Sequence, residues 1–247
     1  MGLKHSKLSD KQVKVLVEHF AAGTPARTAG EFAGIHENSA LLFYHRLRQM
    51  IYRRMLADAS FLDGEIEADE SYFGGVRKGK RGRGAAGKVA VFGLLKRGGR
   101  VFTIIIDNAS SKTLLPIIRS NIEPDSIIYT DSWRGYNVLD VSEFYHMRIN
   151  HNKEYVDING IHINGIENFW RQSKRHLSKY NGIASHHFNL FLKECEWRFN
   201  EGGGIKGYKQ LMYWLKTDWE KILLMPMLGV MAKEGVKGKP VKGAKHP

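Results

Sequence analysis

The spacing of apolar residues changes near residue 60, and that change limits the folds open to this chain. Before it, apolar residues recur every three or four positions. After it come short β-branched and aromatic runs bounded by turn signals. SDKQVKVLVEHFAAG opens with Ser9 as an N-cap and Gln12 three residues on, a capping-box pattern, and Gly23 ends that helix. A short helix from Pro25 to Phe32, a glycine turn at Gly34 and a third helix from His36 to Leu56 follow. Further on, EIEADESYF, KVAVFGLLK and RVFTIIID read as three strands, with Gly98-Gly99 marking a hairpin between the last two. SSKTLLPIIRSNI reads as a helix despite Pro116, DSIIYTD and EFYHMRIN as two more strands, and 164–180 and 187–200 as long helices. Three adjacent strands, a helix, two strands and a helix predict an α/β fold whose mixed sheet is flanked by helices. The expected division is a helical helix-turn-helix-like module over 1–58, an α/β domain over 62–222 and a basic tail over 223–247.

Charge narrows the partner. Lys and Arg outnumber Asp and Glu by 38 to 25, a net charge of +13, which suits a polyanion. The stretch 76–88 holds Arg77, Lys78, Lys80, Arg81, Arg83 and Lys88 among glycines, with no acid. Such a segment cannot bury enough to order itself, but it can lie along a phosphate backbone. Two short helices, a glycine turn and a basic helix suggest a helix-turn-helix module, with Arg46 and Arg48 as candidate base readers. The single cysteine, Cys195, excludes an internal disulfide and a multi-cysteine zinc site. No window approaches the ~20 apolar residues of a membrane span, and no signal-peptide core opens the chain, so a cytoplasmic, nucleoid-associated protein is expected.

Three acids carry the candidate chemistry. Asp69 lies within the first strand, Asp131 directly after IIYT, and Glu167 in the first turn of the helix beginning at Asn164. Two Mg²⁺ ions, with Mn²⁺ as a substitute, are held by a few carboxylates and suit phosphodiester chemistry, in which the nucleophile is weak and the electrophile anionic. Each acid also has a plainer reading. Glu70, on the opposite strand face from Asp69, is an alternative ligand; Asp131 could cap a turn; Glu167 could complete a capping box on Asn164. Glu167, Arg171 and Lys174 share one helix face, while Ile166, Phe169, Trp170 and Leu177 form the apolar stripe. The next residue, Arg175, adds a further cation. His162 and His176 read as solvated residues flanking the helix.

These blocks resemble a DDE-type transposase of a bacterial insertion sequence, of the ISXO-like group in which a lysine follows the acidic triad. EADESYFGG, YTDSWRGY and HINGIENFWRQSKRHLSKYNGI, followed by FLKECEWRFN, carry the resemblance over about 60–200. Glu167 follows Asp131 by 36 residues, and Lys174 follows Glu167 by seven. The resemblance implies an RNase H-like core with Asp69, Asp131 and Glu167 as metal ligands and Lys174 as a contact to DNA. It implies cleavage at the element's inverted-repeat ends, transfer of the freed 3′-hydroxyl to target double-stranded DNA, and a homodimer or higher assembly to join two ends. A catalytically silent DNA-binding protein, such as a helix-turn-helix repressor or a domesticated transposase, would share the charge and the N-terminal module but need no acidic triad.

Overall fold

The computed structural model describes residues 3, 6–58, 61–74, 88–149 and 162–223. Helices α1 (Asp10–Ala22), α2 (Ala26–Ala33) and α3 (Glu37–Ala57) come first. Strands β1 (Glu65–Phe73), β2 (Val89–Lys96) and β3 (Val101–Ile106) follow, then α4 (Ser111–Asn121), β4 (Ile127–Asp131) and β5 (Tyr145–Ile149). Three long helices complete the described chain: α5 (Asn164–Ser178), α6 (Phe188–Glu201) and α7 (Gly204–Leu223). A 3-10 segment, Arg134–Val141, sits between β4 and β5.

The first helix has the capping box that its sequence announces. The Ser9 hydroxyl accepts from the Gln12 amide, and the Gln12 side chain accepts from the Ser9 amide at 2.9 Å. Gly23 closes the helix in the left-handed region, with φ of 82°. Gly34 does the same for α2, with φ of 64°. A Cβ on Gly30 would stand 3.1 Å from that of Ala40, so a glycine here lets α2 and α3 cross closely. In α4, Pro116 is exposed, as is Lys112 one turn earlier, so the carbonyl that the proline leaves without an amide partner can turn to water.

The sheet runs β3-β2-β1-β4-β5. β1 is antiparallel to β2 and β2 to β3, whereas β1, β4 and β5 run parallel. This is a mixed sheet flanked by helices, the RNase H-like architecture. Alternation along β1 divides the interior into two layers. Ile66 and Ala68 face α4 and the 3-10 segment, with Leu114, Ile118 and Tyr136. Phe73, Val91 and Tyr129 face α5 and α6, with Ile166, Phe169 and Leu192. Mid-strand Gly93 has a packing reason: a Cβ there would lie 2.6 Å from the Trp170 ring.

A third core departs from the expected domain division. Side chains of α1, α2 and α3 pack around Trp197 of α6 and Leu211, Trp214, Leu215 and Trp219 of α7. The last helix therefore belongs to the N-terminal core rather than to the 62–222 domain, and the 1–58 helices are not separable from it. The expected tail, 223–247, lies outside the described residues save Leu223, the last residue of α7.

Arg48 holds this arrangement together, which corrects its assignment as a base reader. It is 5% exposed, and its Nε donates to Glu194 Oε2 at 2.6 Å. A second nitrogen donates to the Tyr180 hydroxyl at 3.1 Å, and the guanidinium lies 3.9 Å from the Phe191 ring centroid. Glu194, fully buried, also receives Arg198 at 2.8 Å and pairs with His176 Nε2 at 2.9 Å. His176 is therefore a member of a buried network, not a solvated flank. Burial alone would push Glu194 upward, but the Arg48 and Arg198 charges outweigh it and hold the carboxyl well below its usual range. Arg48→Ala should destabilise the protein by roughly 3 kcal/mol, because it strips a buried carboxylate of one partner. Urea denaturation checks this; a residue used only to read bases would leave the midpoint unchanged.

Candidate functional site

Two parallel strands bring the first two acids together. β1 and β4 pair in a register that includes Glu67 with Tyr129, and continuing it by two residues sets Asp69 beside Asp131. Both residues share the strand face of Glu67 and Tyr129, which is the face covered by α5. The antiparallel partner of Asp69 is Gly93, the glycine over which Trp170 packs. The indole N–H then reaches Asp69 Oδ2 at 3.0 Å. A glycine in one strand thus makes room for the ring that orients a carboxylate on the next.

Helix α5 supplies Glu167, and its start is fixed by a residue that the sequence reading did not single out. Glu67, 1% exposed, accepts the Ile166 amide at 2.8 Å through Oε2. Its other oxygen receives Arg97 Nε at 3.3 Å, and Arg97 also donates to the His162 carbonyl at 2.6 Å. A Cβ on Gly165 would fall 2.8 Å from Glu67 Oε2, so the glycine of INGIE permits the close approach. The capping box anticipated on Asn164 does not form. Asn164 is already helical, Ile163 precedes the helix, and the anionic cap comes from β1. Glu167 is left half-buried, without an ion pair to Arg171 among the described residues.

Asp69, Glu70, Asp131 and Glu167 line one open pocket of about 550 Å³, with Arg171 and Lys174 on its α5 side. Glu70 reaches it from the other strand face, its Oε2 held by the Tyr136 hydroxyl at 2.8 Å. Asp131 does make the turn contact weighed for it, since Oδ1 accepts the Trp133 amide at 2.9 Å. One such bond leaves most of a carboxylate's acceptor capacity unused. Burial, then the neighbouring charges of Glu70 and Asp131, push Asp69 up to about 8. The cluster is thus short of positive charge at its centre. As the side chains lie, no three of the described His, Cys, Asp or Glu residues stand close enough to hold one ion.

The expected cations are spread over several surfaces. Arg171 and Lys174 are exposed beside the acids, and Lys174 Nζ lies 5.7 Å from the Phe73 ring centroid. Arg175 is exposed on another flank of α5, away from the acidic pocket. Arg46 is half-buried on α3 and donates to Gln49 Oε1 at 3.0 Å. Arg77, Lys78, Lys80, Arg81 and Arg83 lie outside the described residues. Glu67, Gly93, Gly165 and Trp170 position the site, a role that the sequence reading gave to none of them; a glycine inside an apolar strand was the available signal for Gly93. Among the described residues no helix is long and apolar enough to cross a membrane.

A transposase-like protein of Haemophilus influenzae is 59% identical over 101 residues, spanning 41% of this chain and 81% of that one. Among solved structures, the catalytic core of BIV integrase aligns over 64% of this chain and 99% of its own, with 14% identity and a TM-score of 0.37. The catalytic domain of Mos1 mariner transposase aligns over 72% of this chain and 89% of its own, with 12% identity and a TM-score of 0.39. The family model for the ISXO2-like transposase domain matches residues 61–200, and this chain belongs to that family.

Proposed function

We propose that this chain cuts double-stranded DNA at the ends of an insertion sequence and transfers the freed 3′-hydroxyl to target DNA, by metal-dependent phosphoryl transfer at Asp69, Asp131 and Glu167. The observation that carries the reading is convergence: acids from β1, β4 and α5 reach one pocket rimmed by Arg171 and Lys174. The donor set suits a hard cation, since it is all oxygen. Two Mg²⁺ ions, or Mn²⁺, would activate the attacking oxygen and neutralise the leaving one. Mg²⁺ is commonly held by one or two carboxylates plus substrate phosphates, so a site in which no three acids close on one point fits a centre that DNA completes.

Each residue then has a stated task. The Trp170 N–H holds Asp69 Oδ2 and so points the other oxygen at the pocket. The Trp133 amide fixes Asp131 in the same way. Glu67 sets the first turn of α5 and with it the position of Glu167. Arg171 and Lys174 grip phosphate beside the reacting bond. Glu70, tied to Tyr136, shapes the charge of the site from behind. On α3, Asn38, Ser39 and Leu42 are exposed where the second helix of a helix-turn-helix presents its first turns, and Arg46 lies on the same face. Two element ends must be joined, which calls for at least two copies of the chain.

Asp69→Ala or Asp131→Asn should slow metal-dependent nicking of an end-containing oligonucleotide by roughly a thousandfold, with binding of that DNA retained. Nicking at the wild-type rate in either variant rejects the assignment, and a strand-transfer assay separates a transposase from a nuclease that only cuts.

The raised Asp69 value makes a signed prediction. Its native state binds a proton that the unfolded chain has lost between about pH 4 and 8, so stability of the metal-free protein falls as pH rises through that window. Asp69→Asn should flatten the fall in thermal-melt profiles. Stabilisation by Mg²⁺ should be greater at pH 8 than at pH 6, since at the lower pH the ion must displace that proton.

Base reading is tested on α3. Asn38→Ala should cost about 1–3 kcal/mol of discrimination between end DNA and random duplex, leaving non-specific binding intact. Equal discrimination by wild type and variant in competition binding would move recognition elsewhere.

A further inference from the structure

Away from the acids, a second cavity of about 300 Å³ opens between α5 and α6, beside the C-terminus of α1. Its charge is one-sided. Arg175, His176, Lys179 and Arg198 reach it, and among the described residues no carboxylate lines it. Part of that charge is structural. Lys179 donates to the Gly23 carbonyl, and Arg198 to the carbonyls of Ala21 and Phe20, where the helix end is electronegative. Glu194 sits behind and is shared among Arg48, Arg198 and His176. One carboxylate cannot offset Arg48, Arg198, Lys179 and Arg175 together.

Three donors at this cavity have no structural task. Arg175 is exposed on α5, and its guanidinium makes no hydrogen bond or ion pair among the described residues. Ser173 is 2% exposed, and its Oγ has nothing beyond the weak partner offered by the Cys195 thiol. The Gln172 amide stands exposed at the cavity. Burial raises the Cys195 thiol to about 12, so it brings no negative charge. A guanidinium, an amide and a buried hydroxyl in a cationic recess are what a tetrahedral oxyanion needs.

We infer that this cavity seats a backbone phosphate of nucleic acid. Arg171 and Lys174 face the acidic pocket, whereas Gln172 and Arg175 line the cavity on another flank of the same helix, with Lys179 at its C-cap. Bound DNA would then be gripped on two flanks of α5, which fixes the register of the strand relative to the scissile bond. The inference rests on the function proposed above, because the occupant belongs to the same DNA; a net charge of +13 favours that polymer over a free anion.

Salt titration of duplex binding by the full chain tests it. Arg175→Ala should reduce the slope of log K against log salt by about one unit, and Arg175→Lys should restore it. Gln172→Ala should weaken binding by a few-fold at fixed salt with the slope unchanged, which loss of a merely nearby charge would not mimic. All three should keep wild-type melting temperatures, which separates loss of a phosphate contact from loss of the fold. If wild type binds with a slope of several units and Arg175→Glu keeps both slope and affinity, the seat is refuted while the DNA reading stands. If wild type shows no salt-dependent duplex binding, the proposed function fails and this occupant with it. In that case ³¹P line broadening of inorganic phosphate by wild type, lost in Arg175→Ala, would give the cavity to free phosphate instead.

Discussion

The Glu67 carboxylate joins the sheet to α5, and the geometry of the acidic pocket follows from that joint. Its Oε2 takes the Ile166 amide at 2.8 Å, so the N-terminus of the helix is anchored to β1 two residues before Asp69. A buried carboxylate at a helix N-terminus gains from the unpaired amides there and from the helix dipole. Arg97 supplies the counter-charge, with its guanidinium 3.7 Å from the Tyr129 ring centroid. The partners therefore lie on β1, on Tyr129 of β4 and at the start of α5, the three elements that carry Asp69, Asp131 and Glu167. Gly165 and Gly93 serve the same end by absence of a side chain, one admitting Glu67 and the other the Trp170 ring.

Two acid clusters of this molecule, one buried around Glu194 and one open around Asp69, contrast in charge balance. Glu194 is surrounded by Arg48, Arg198 and His176 and stays ionised well below the ordinary carboxylate range. Asp69 has carboxylates for neighbours, and its proton is held up to about 8. The first cluster is a finished structural joint. The second is kept out of balance by its own fold, and a cation would relieve it. Such separation of environments, rather than the number of acids, is what supports the proposed role of the second cluster. In a chain of net charge +13, a pocket lined by four carboxylates also stands out against the field of the whole protein.

Local signals in the sequence were legible where local physics decides. Ser9 with Gln12, Gly23 and Gly34 delimit helices through capping and left-handed backbone, and the five strands follow from β-branched runs between turns. The parallel pairing of β1 with β4 is non-local, yet Asp131 stood out because it ends the apolar run of β4, whereas Asp69 lies in the middle of β1 among other acids and was picked out by its sequence block. What could not be read were partners distant in sequence. Arg48 and Arg46 are both basic residues of α3, and it is Glu194, 146 residues away, that makes Arg48 a buried strut. Helix α7 was hidden because its apolar stripe completes a core begun by α1, so the 62–222 boundary placed it with the wrong partner. Glu67 reads as one more polar residue in an alternating strand until α5 is set on top of it.

Arg48 and Glu194 also bear on how reading DNA and cutting it could be coupled. Arg48 belongs to α3, the candidate reading helix, and its guanidinium contacts Glu194 of α6 and Tyr180 just beyond α5. His176 of α5 meets the same carboxylate. The helix exposing Asn38 and Leu42 is therefore held in fixed orientation to the helix bearing Glu167 and Lys174. Trp197 and α7 stiffen the joint by packing α6 against the N-terminal core. A flexible tether would allow many separations between the bases read and the bond cut. A shared buried charge permits few, because moving α3 alone would leave Glu194 without one of its partners in a low-dielectric interior. On the proposed function, the spacing between recognition and chemistry is a property of the core rather than of a linker.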